Sequence, residues 1–248
     1  MARRPLAAET CAPGFAVSGG MALLGRVGSD NGWQQARYAR ERERMVETQL
    51  RGRGITDGRV LAAMGKVPRH LFVEEALRDQ AYGDRPLPIG VGQTISQPYM
   101  VAIMCQLLGL TGVERVLEVG TGSGYQAAVL AELSRKVYTI ERISSLATRA
   151  RQILESLEYT NVLVRVGDGT VGWSDEAPFE RIIVAAAAPQ IPEPLFQQLA
   201  EGGRMVVPVG DAYGQTLHVV EKVEAQMRVS TDLGCVFVKL IGKYGWGE

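Results

Sequence analysis

The sequence predicts a doubly wound, mostly parallel α/β sheet with an antiparallel C-terminal edge and an N-terminal helical attachment. Three observations carry this prediction. From Arg115 onward, short β-branched runs alternate with helical patterns, as in a parallel sheet wrapped by helices. The first of these runs closes in a glycine-rich turn through Gly120, Gly122 and Gly124 that opens a helix, the arrangement by which such sheets bring backbone close to a ligand. After Gly210 the pattern is strand-only, which fits an antiparallel pair at one edge.

Residues 1–33 carry Gly, Ala, Ser and Pro without periodicity and read as a flexible extension. Residues 34–248 read as a single domain, with helices and a loop over 34–110 and the sheet over 111–248. The basic run at 37–44 is mixed in sign, with Arg37 and Glu41 at i,i+4 spacing, and leads into Met45, Val46 and Leu50. It reads as a solvated helix start with one apolar stripe. Thr56 and Asp57 signal the cap of a second helix, which carries Val60, Leu61 and Met64 on one face and stops at Pro68. Residues 84–98 are too rich in Pro and Gly for regular helix. An apolar helix begins near Pro98, with Ser96 or Gln97 close to its cap. Strands are then expected at 115–119, 136–140, 162–166, 181–186 and 204–209, and helices near 125–133, 145–157 and 192–199. The closing antiparallel pair is expected at 216–223 and 236–240.

The chain has 248 residues, with 27 basic and 27 acidic side chains and a formal net charge of zero. That balance argues against a nucleic-acid partner, because phosphate binding leans on clustered Lys and Arg. Glycine is in surplus, with 29 residues against roughly 17 at a usage of about 7%. The two histidines, His70 and His218, have no acid at relay spacing and read as surface or packing residues. Cys11, Cys105 and Cys235 lie far apart without C-x-x-C spacing, so neither a disulfide scaffold nor a metal site is expected. No apolar run approaches the ~18 residues of a membrane span, and no cleavage site follows the weakly apolar start. The expected location is the cytoplasm, with no membrane partner.

The run VLEVGTGSGYQ at 116–126 is the most informative segment. Its glycines are spaced G-x-G-x-G; Tyr125 stands where a dinucleotide fingerprint wants its third glycine, and no Lys-Ser/Thr follows to make a P-loop. Glu141 lies 21 residues after Gly120, at the end of the second strand, where a carboxylate can accept from both ribose hydroxyls. Asp168, inside GDG at 167–169, ends the third strand at the same edge. Each acid alone reads as a helix cap. Together with the glycine turn, on three consecutive strand ends, they read as a nucleoside-binding edge.

This constellation resembles the class I S-adenosylmethionine-dependent methyltransferases. The resemblance implies that Gly120, Gly122 and Gly124 adjoin the methionine part of S-adenosylmethionine, that Glu141 holds the ribose and that Asp168 contacts adenine. After the fourth strand the chain reads AAAAP at 185–189, without the polar group and aromatic of the enzymes that methylate nucleic-acid amino groups. Upstream, IGVGQTISQPYM at 89–100 closely resembles the segment that marks protein-L-isoaspartate O-methyltransferases. The likeness includes MVETQL at 45–50, VPR at 67–69, DRPLP at 84–88, YTIER at 138–142 and VPVG at 207–210, and spans roughly 45–241. Lys239 stands where that family has Pro.

The resemblance implies a repair reaction: methyl transfer to the free α-carboxylate of L-isoaspartyl residues in damaged proteins and peptides, giving an ester that closes to a succinimide. It names Ser96 as the active-site residue and extends cofactor contact to Gln93, Thr94, Ile95, Arg142 and Gly169. The residue inventory suits this chemistry, because a carboxylate with pKa near ~4 is already ionised and needs no general base. Ser96 is expected to orient the substrate carboxylate; no Ser-His pair or G-x-S-x-G elbow supports covalent use. A monomer is expected. Two other readings stand beside this one: a methyltransferase for a small-molecule carboxylate or hydroxyl, and a non-catalytic adaptor that binds the cofactor.

Overall fold

The computed structural model describes residues 30–247. The chain divides between Ala36 and Arg37, and the unit Arg37–Glu248 is compact. The extension expected at 1–33 lies outside the described residues up to position 29, and helix α1 (Asp30–Arg44) begins at its end. A π-helical turn, Met45–Leu50, follows and buries Met45, Val46 and Leu50. Helix α2 (Gly58–Lys66) is capped as its sequence predicts, by the Asp57 carboxylate accepting from the N–H of Arg59 at 2.8 Å and of Val60 at 3.3 Å. It ends before Pro68, and a 3-10 turn, Arg69–Phe72, carries the chain back inward.

Strands β1 (Leu87–Gly90) and β2 (Gln93–Ile95) make an antiparallel hairpin in the Pro- and Gly-rich stretch. Its two turn residues, Val91 and Gly92, both take positive φ, 46° and 70°, the conformation that two-residue hairpin turns require. Helix α3 (Pro98–Leu108) has Pro98 in its first turn and stops at Gly109, whose φ is 65°.

The main sheet then alternates with helices: β3 (Arg115–Val119), α4 (Tyr125–Leu133), β4 (Lys136–Glu141), α5 (Ser144–Ser156), β5 (Val162–Val166), β6 (Phe179–Val184), α6 (Glu193–Gln198) and β7 (Leu199–Gly210). The last two strands are β8 (Gln215–Val223) and β9 (Gln226–Cys235). Among the described residues the sheet has seven strands, in the order β5-β4-β3-β6-β7-β8-β9. The first five are parallel, and β8 and β9 run antiparallel. Val116, Ile183 and Val206 pack on one face with α2, α3 and α4; Leu117, Ile182 and Val207 pack on the other with α6. Burial of both faces explains why these strands read as continuous apolar runs. The strand order reverses at β3, so a crevice opens beyond the carboxyl ends of β3, β4 and β6, where such sheets bind ligands.

One expectation is corrected. The final antiparallel strand is β9, not 236–240. β9 is an exposed edge strand carrying Arg228, Ser230 and Asp232, so apolar alternation does not betray it, and its charges guard an open edge. The apolar run at 236–240 instead crosses the carboxyl end of the sheet. There the N–H of Ala187 donates to Val238 O and the N–H of Leu240 donates to Ala187 O, both at 2.8 Å.

Candidate active site

The glycine turn is built by backbone geometry. Gly120, Gly122 and Gly124 adopt φ of 97°, 54° and 88°, values that favour glycine. The turn hangs from the neighbouring strand: the N–H groups of Gly120 and Thr121 donate to Ile140 O at 2.9 and 3.3 Å. Glu141 closes it, with Oε2 accepting from the Gly122 N–H at 2.9 Å and Oε1 from the Ile143 N–H at 3.0 Å. Each oxygen keeps a second acceptor position for a ligand hydroxyl.

A cleft lies over this turn. It brings together Gln93, Thr94, Ile95 and Ser96 from the hairpin loop, Gly120 and Gly122 from the turn, Glu141 and Arg142 after β4, and Gly169 after β5. Gly169 is where side-chain bulk would intrude, since a Cβ there would stand 2.5 Å from Val119 Cγ1. Gly124 stands outside the cleft lining. It lets α4 approach α5, where a Cβ would meet Ala150 Cβ at 3.2 Å. Asp168 occupies an adjoining recess with Arg142, Gly167, Ile241, Gly242 and Trp246. Its Oδ1 accepts from the Thr170 N–H (2.8 Å) and hydroxyl (2.6 Å), and its Oδ2 from the Lys243 N–H (2.8 Å). Burial pushes this carboxyl up, but those donors outweigh it and hold Asp168 below its ordinary value.

Several residues of the site carry no signal in the local sequence. Val238, Lys239, Leu240 and Ile241 form one wall of the cleft, fastened by the Ala187 pairing and by Trp246, whose indole N–H donates to Ala187 O at 2.9 Å. Gln126 is buried in the lining, with its amide beside the Glu118 carboxyl. Beneath the turn, Glu118 is fully buried, and its Oε2 accepts from the Thr139 hydroxyl at 2.6 Å. Burial pushes Glu118 up to about 8, against the hydrogen bonds of Thr139 and the Gln126 amide and with the charge of Glu141 adding to the rise. The described residues therefore fit a ligand with a nucleoside at one end and paired charges at the other. Glu141 suits ribose hydroxyls, and the buried Gln126 amide in the lining suits an amino-acid terminus.

Beside the cleft runs a groove lined by Arg53, Gln97, Tyr99, Cys235 and Phe237 among others. It shares Thr94, Ser96, Ala185 and Val238 with the cleft. Ser96 thus stands where the two open into each other. It is half-buried and does not cap α3; the cap position is Gln97, whose side chain donates to Asp84 O at 3.2 Å. Arg53 lies over the Tyr99 ring at 3.7 Å and pairs with Asp84. His70 and His218 line neither space. His70 is buried, stacked on Tyr38 at 4.1 Å and hydrogen-bonded to the Tyr82 hydroxyl at 2.8 Å, and burial lowers it to about 4. Cys105 is core, and burial pushes Cys235 up to about 11.

The family described as Protein-L-isoaspartate(D-aspartate) O-methyltransferase matches residues 40–245. The chain belongs to that family. A protein-L-isoaspartate O-methyltransferase 1 of Syntrophobacter fumaroxidans is 62% identical over 210 residues, covering 84% of this chain and 98% of the relative. One from Geobacter metallireducens is 58% identical over 207 residues, covering 83% and 96%. Among solved structures, a protein-L-isoaspartate O-methyltransferase superposes with a TM-score of 0.76 at 29% identity, covering 82% of this chain and 67% of that one. A Plasmodium falciparum protein described as a relative of the same kind, in complex with S-adenosyl-L-homocysteine, superposes with a TM-score of 0.70 at 26% identity, covering 81% and 98%.

Proposed function

We propose that this member of the isoaspartate methyltransferase family performs its repair reaction at the junction of cleft and groove. The methyl donor is S-adenosylmethionine, and the acceptor is the free α-carboxylate of an L-isoaspartyl residue in a protein or peptide. The observation that carries this reading is Ser96, shared by both spaces. A cofactor in the cleft and a peptide in the groove would meet there.

S-adenosylmethionine supplies a methyl group on a positively charged sulfur. The residues of the chain do the rest. The turn at Gly120 and Gly122 admits the ligand backbone-close, Glu141 accepts from the ribose, and Gln126 satisfies the amino-acid end. Gln93, Thr94 and Ile95 close the cleft from above; Arg142, Asp168 and Gly169 bound the adenine side, where Oδ2 of Asp168 keeps one acceptor position. Gly124 serves the site indirectly, through the seating of α4. The Ser96 hydroxyl donates to the substrate carboxylate and points its other oxygen at the methyl carbon. The new C–O bond forms as the C–S bond breaks, and the bonding pair leaves with sulfur. The acceptor is already an anion at neutral pH, so alignment and exclusion of water are what remain to be supplied. The methyl ester then closes to a succinimide.

Among the described residues no helix is long and apolar enough to cross a membrane. We assign the protein to the cytoplasm, acting as a monomer without nucleic-acid or membrane partners. Zero net charge and the free thiols of Cys105 and Cys235 support this assignment. Replacing Ser96 tests the mechanism. Ser96→Ala is expected to lower labelled methyl transfer to an isoaspartyl peptide by about tenfold to a hundredfold, with S-adenosylhomocysteine affinity unchanged by calorimetry. Unaltered turnover would remove Ser96 from the mechanism.

A further inference from the structure

Arg69 is the largest fully buried side chain of the described residues. Among the described residues no carboxylate forms an ion pair with it; two main-chain carbonyls and Tyr125 hold it, and the charge of Asp84 supports it from farther off. Nε donates to Ala81 O at 2.7 Å, Nη2 donates to Ser96 O at 2.8 Å, and the guanidinium lies over the Tyr125 ring at 4.8 Å. Nη1 has no hydrogen-bond partner. A buried charge without a carboxylate in contact is costly, and an apolar side chain of similar bulk would fill the same space more cheaply. Packing therefore does not account for an arginine here.

Its contacts do. Ser96 belongs to the boundary of cleft and groove, and Tyr125 opens α4 directly after the glycine turn. The same 3-10 turn adds Phe72, edge-on to Tyr125 at 5.6 Å. Arg69 so ties the loop that would hold the substrate to the helix that follows the cofactor turn. Nε and Nη2 of one rigid planar fork each hold one carbonyl, so Ser96 O is fixed relative to Ala81 O, which a flexible ammonium does not achieve. Burial draws the guanidinium down to about 10, still protonated at neutral pH.

We propose that Arg69 is a positioning residue for methyl transfer: through the Ser96 carbonyl, and braced on Tyr125, it sets the Ser96 hydroxyl against the substrate carboxylate. This rests on the repair reading and adds to it a residue that touches neither substrate nor cofactor. The test is a double-mutant cycle on the full chain, with Arg69→Met, Arg69→Lys and Ser96→Ala alone and combined. The readouts are kcat and KM with an isoaspartyl peptide, the Kd of S-adenosylhomocysteine, and Tm.

Arg69→Met is expected to lower kcat about tenfold or more, while Kd for S-adenosylhomocysteine stays within about threefold. Arg69→Lys, which keeps the charge and reaches one carbonyl, recovers part of the loss. Because Arg69 acts through Ser96, the combined variant is no slower than Ser96→Ala alone. Should Arg69→Met fail to fold, Arg69→Lys carries the same comparison. Additive losses, or turnover and cofactor affinity falling together, would overturn the proposal. Wild-type protein that methylates the isoaspartyl peptide while the losses add leaves the repair reading standing; wild-type protein that methylates none sinks both.

Discussion

The two walls of the cleft are built in different ways. One is the strand-edge wall, with the turn at Gly120 and Gly122, Glu141 and Gly169, rooted in β3, β4 and β5. Its backbone is tied to Ile140 O and to the Glu141 carboxylate, and core residues such as Val119 stand directly behind it. The other wall is the C-terminal segment from Val238 to Trp246, held by the pairing at Ala187 and by Asp168 and Thr170. The first wall is part of the core, so a change there costs stability and affinity together. The second is fastened by individual hydrogen bonds, each worth about 1 kcal/mol net, so a change there should cost affinity with little stability.

Gly169→Ala should break the first wall most. Its Cβ collides with Val119, and overpacking of this kind costs about 1–3 kcal/mol. A thermal scan should show lower Tm, and calorimetry should show S-adenosylhomocysteine affinity reduced by about tenfold. Loss of affinity without loss of stability would erase the distinction between the walls.

Glu118→Gln sharpens the comparison from beneath the same wall. The folded state holds Glu118 at about 8, above its unfolded value near ~4.3. Its stability contribution is therefore whole below the unfolded value and declines as pH rises toward 8. The variant should be more stable than wild type at pH 8, with the gap closing by pH 4. A gap that does not vary with pH would show that Glu118 is ionised in the fold.

Thr170→Val probes the second wall and has the smallest expected effect. The Thr170 hydroxyl donates to Asp168 at 2.6 Å and accepts from the Tyr244 N–H at 3.0 Å. Its loss should weaken cofactor affinity about fivefold while moving Tm little. Equal drops in both would mean that the C-terminal segment is core after all.

The strand-edge wall was legible in the sequence because its signals are local. Gly120 through Gly124 fall in one run, and Glu141 sits at a fixed distance from them, both dictated by a strand ending in a turn. Ser96 stood out in the sequence through the resemblance carried by IGVGQTISQPYM, a short continuous motif. The C-terminal wall was not. Its pairing with Ala187 joins residues some 50 positions apart, and an apolar run at 236–240 reads equally well as a strand, while β9 hides its identity at an exposed edge. Arg69 was visible only as part of VPR, since nothing local says that an arginine will be buried. Glu118 was read as one letter of a strand; burial alone gives it its unusual character.

The central claim is that the junction at Ser96 joins a methyl donor to an isoaspartyl carboxylate. Labelled methyl transfer from S-adenosylmethionine to two peptides, identical except for an Asp or an isoaspartyl linkage at one position, tests it most directly. The account predicts label on the isoaspartyl peptide, lost again as the ester closes to succinimide, and little on its partner. Equal labelling of the two peptides, or none on either with cofactor bound, would contradict it.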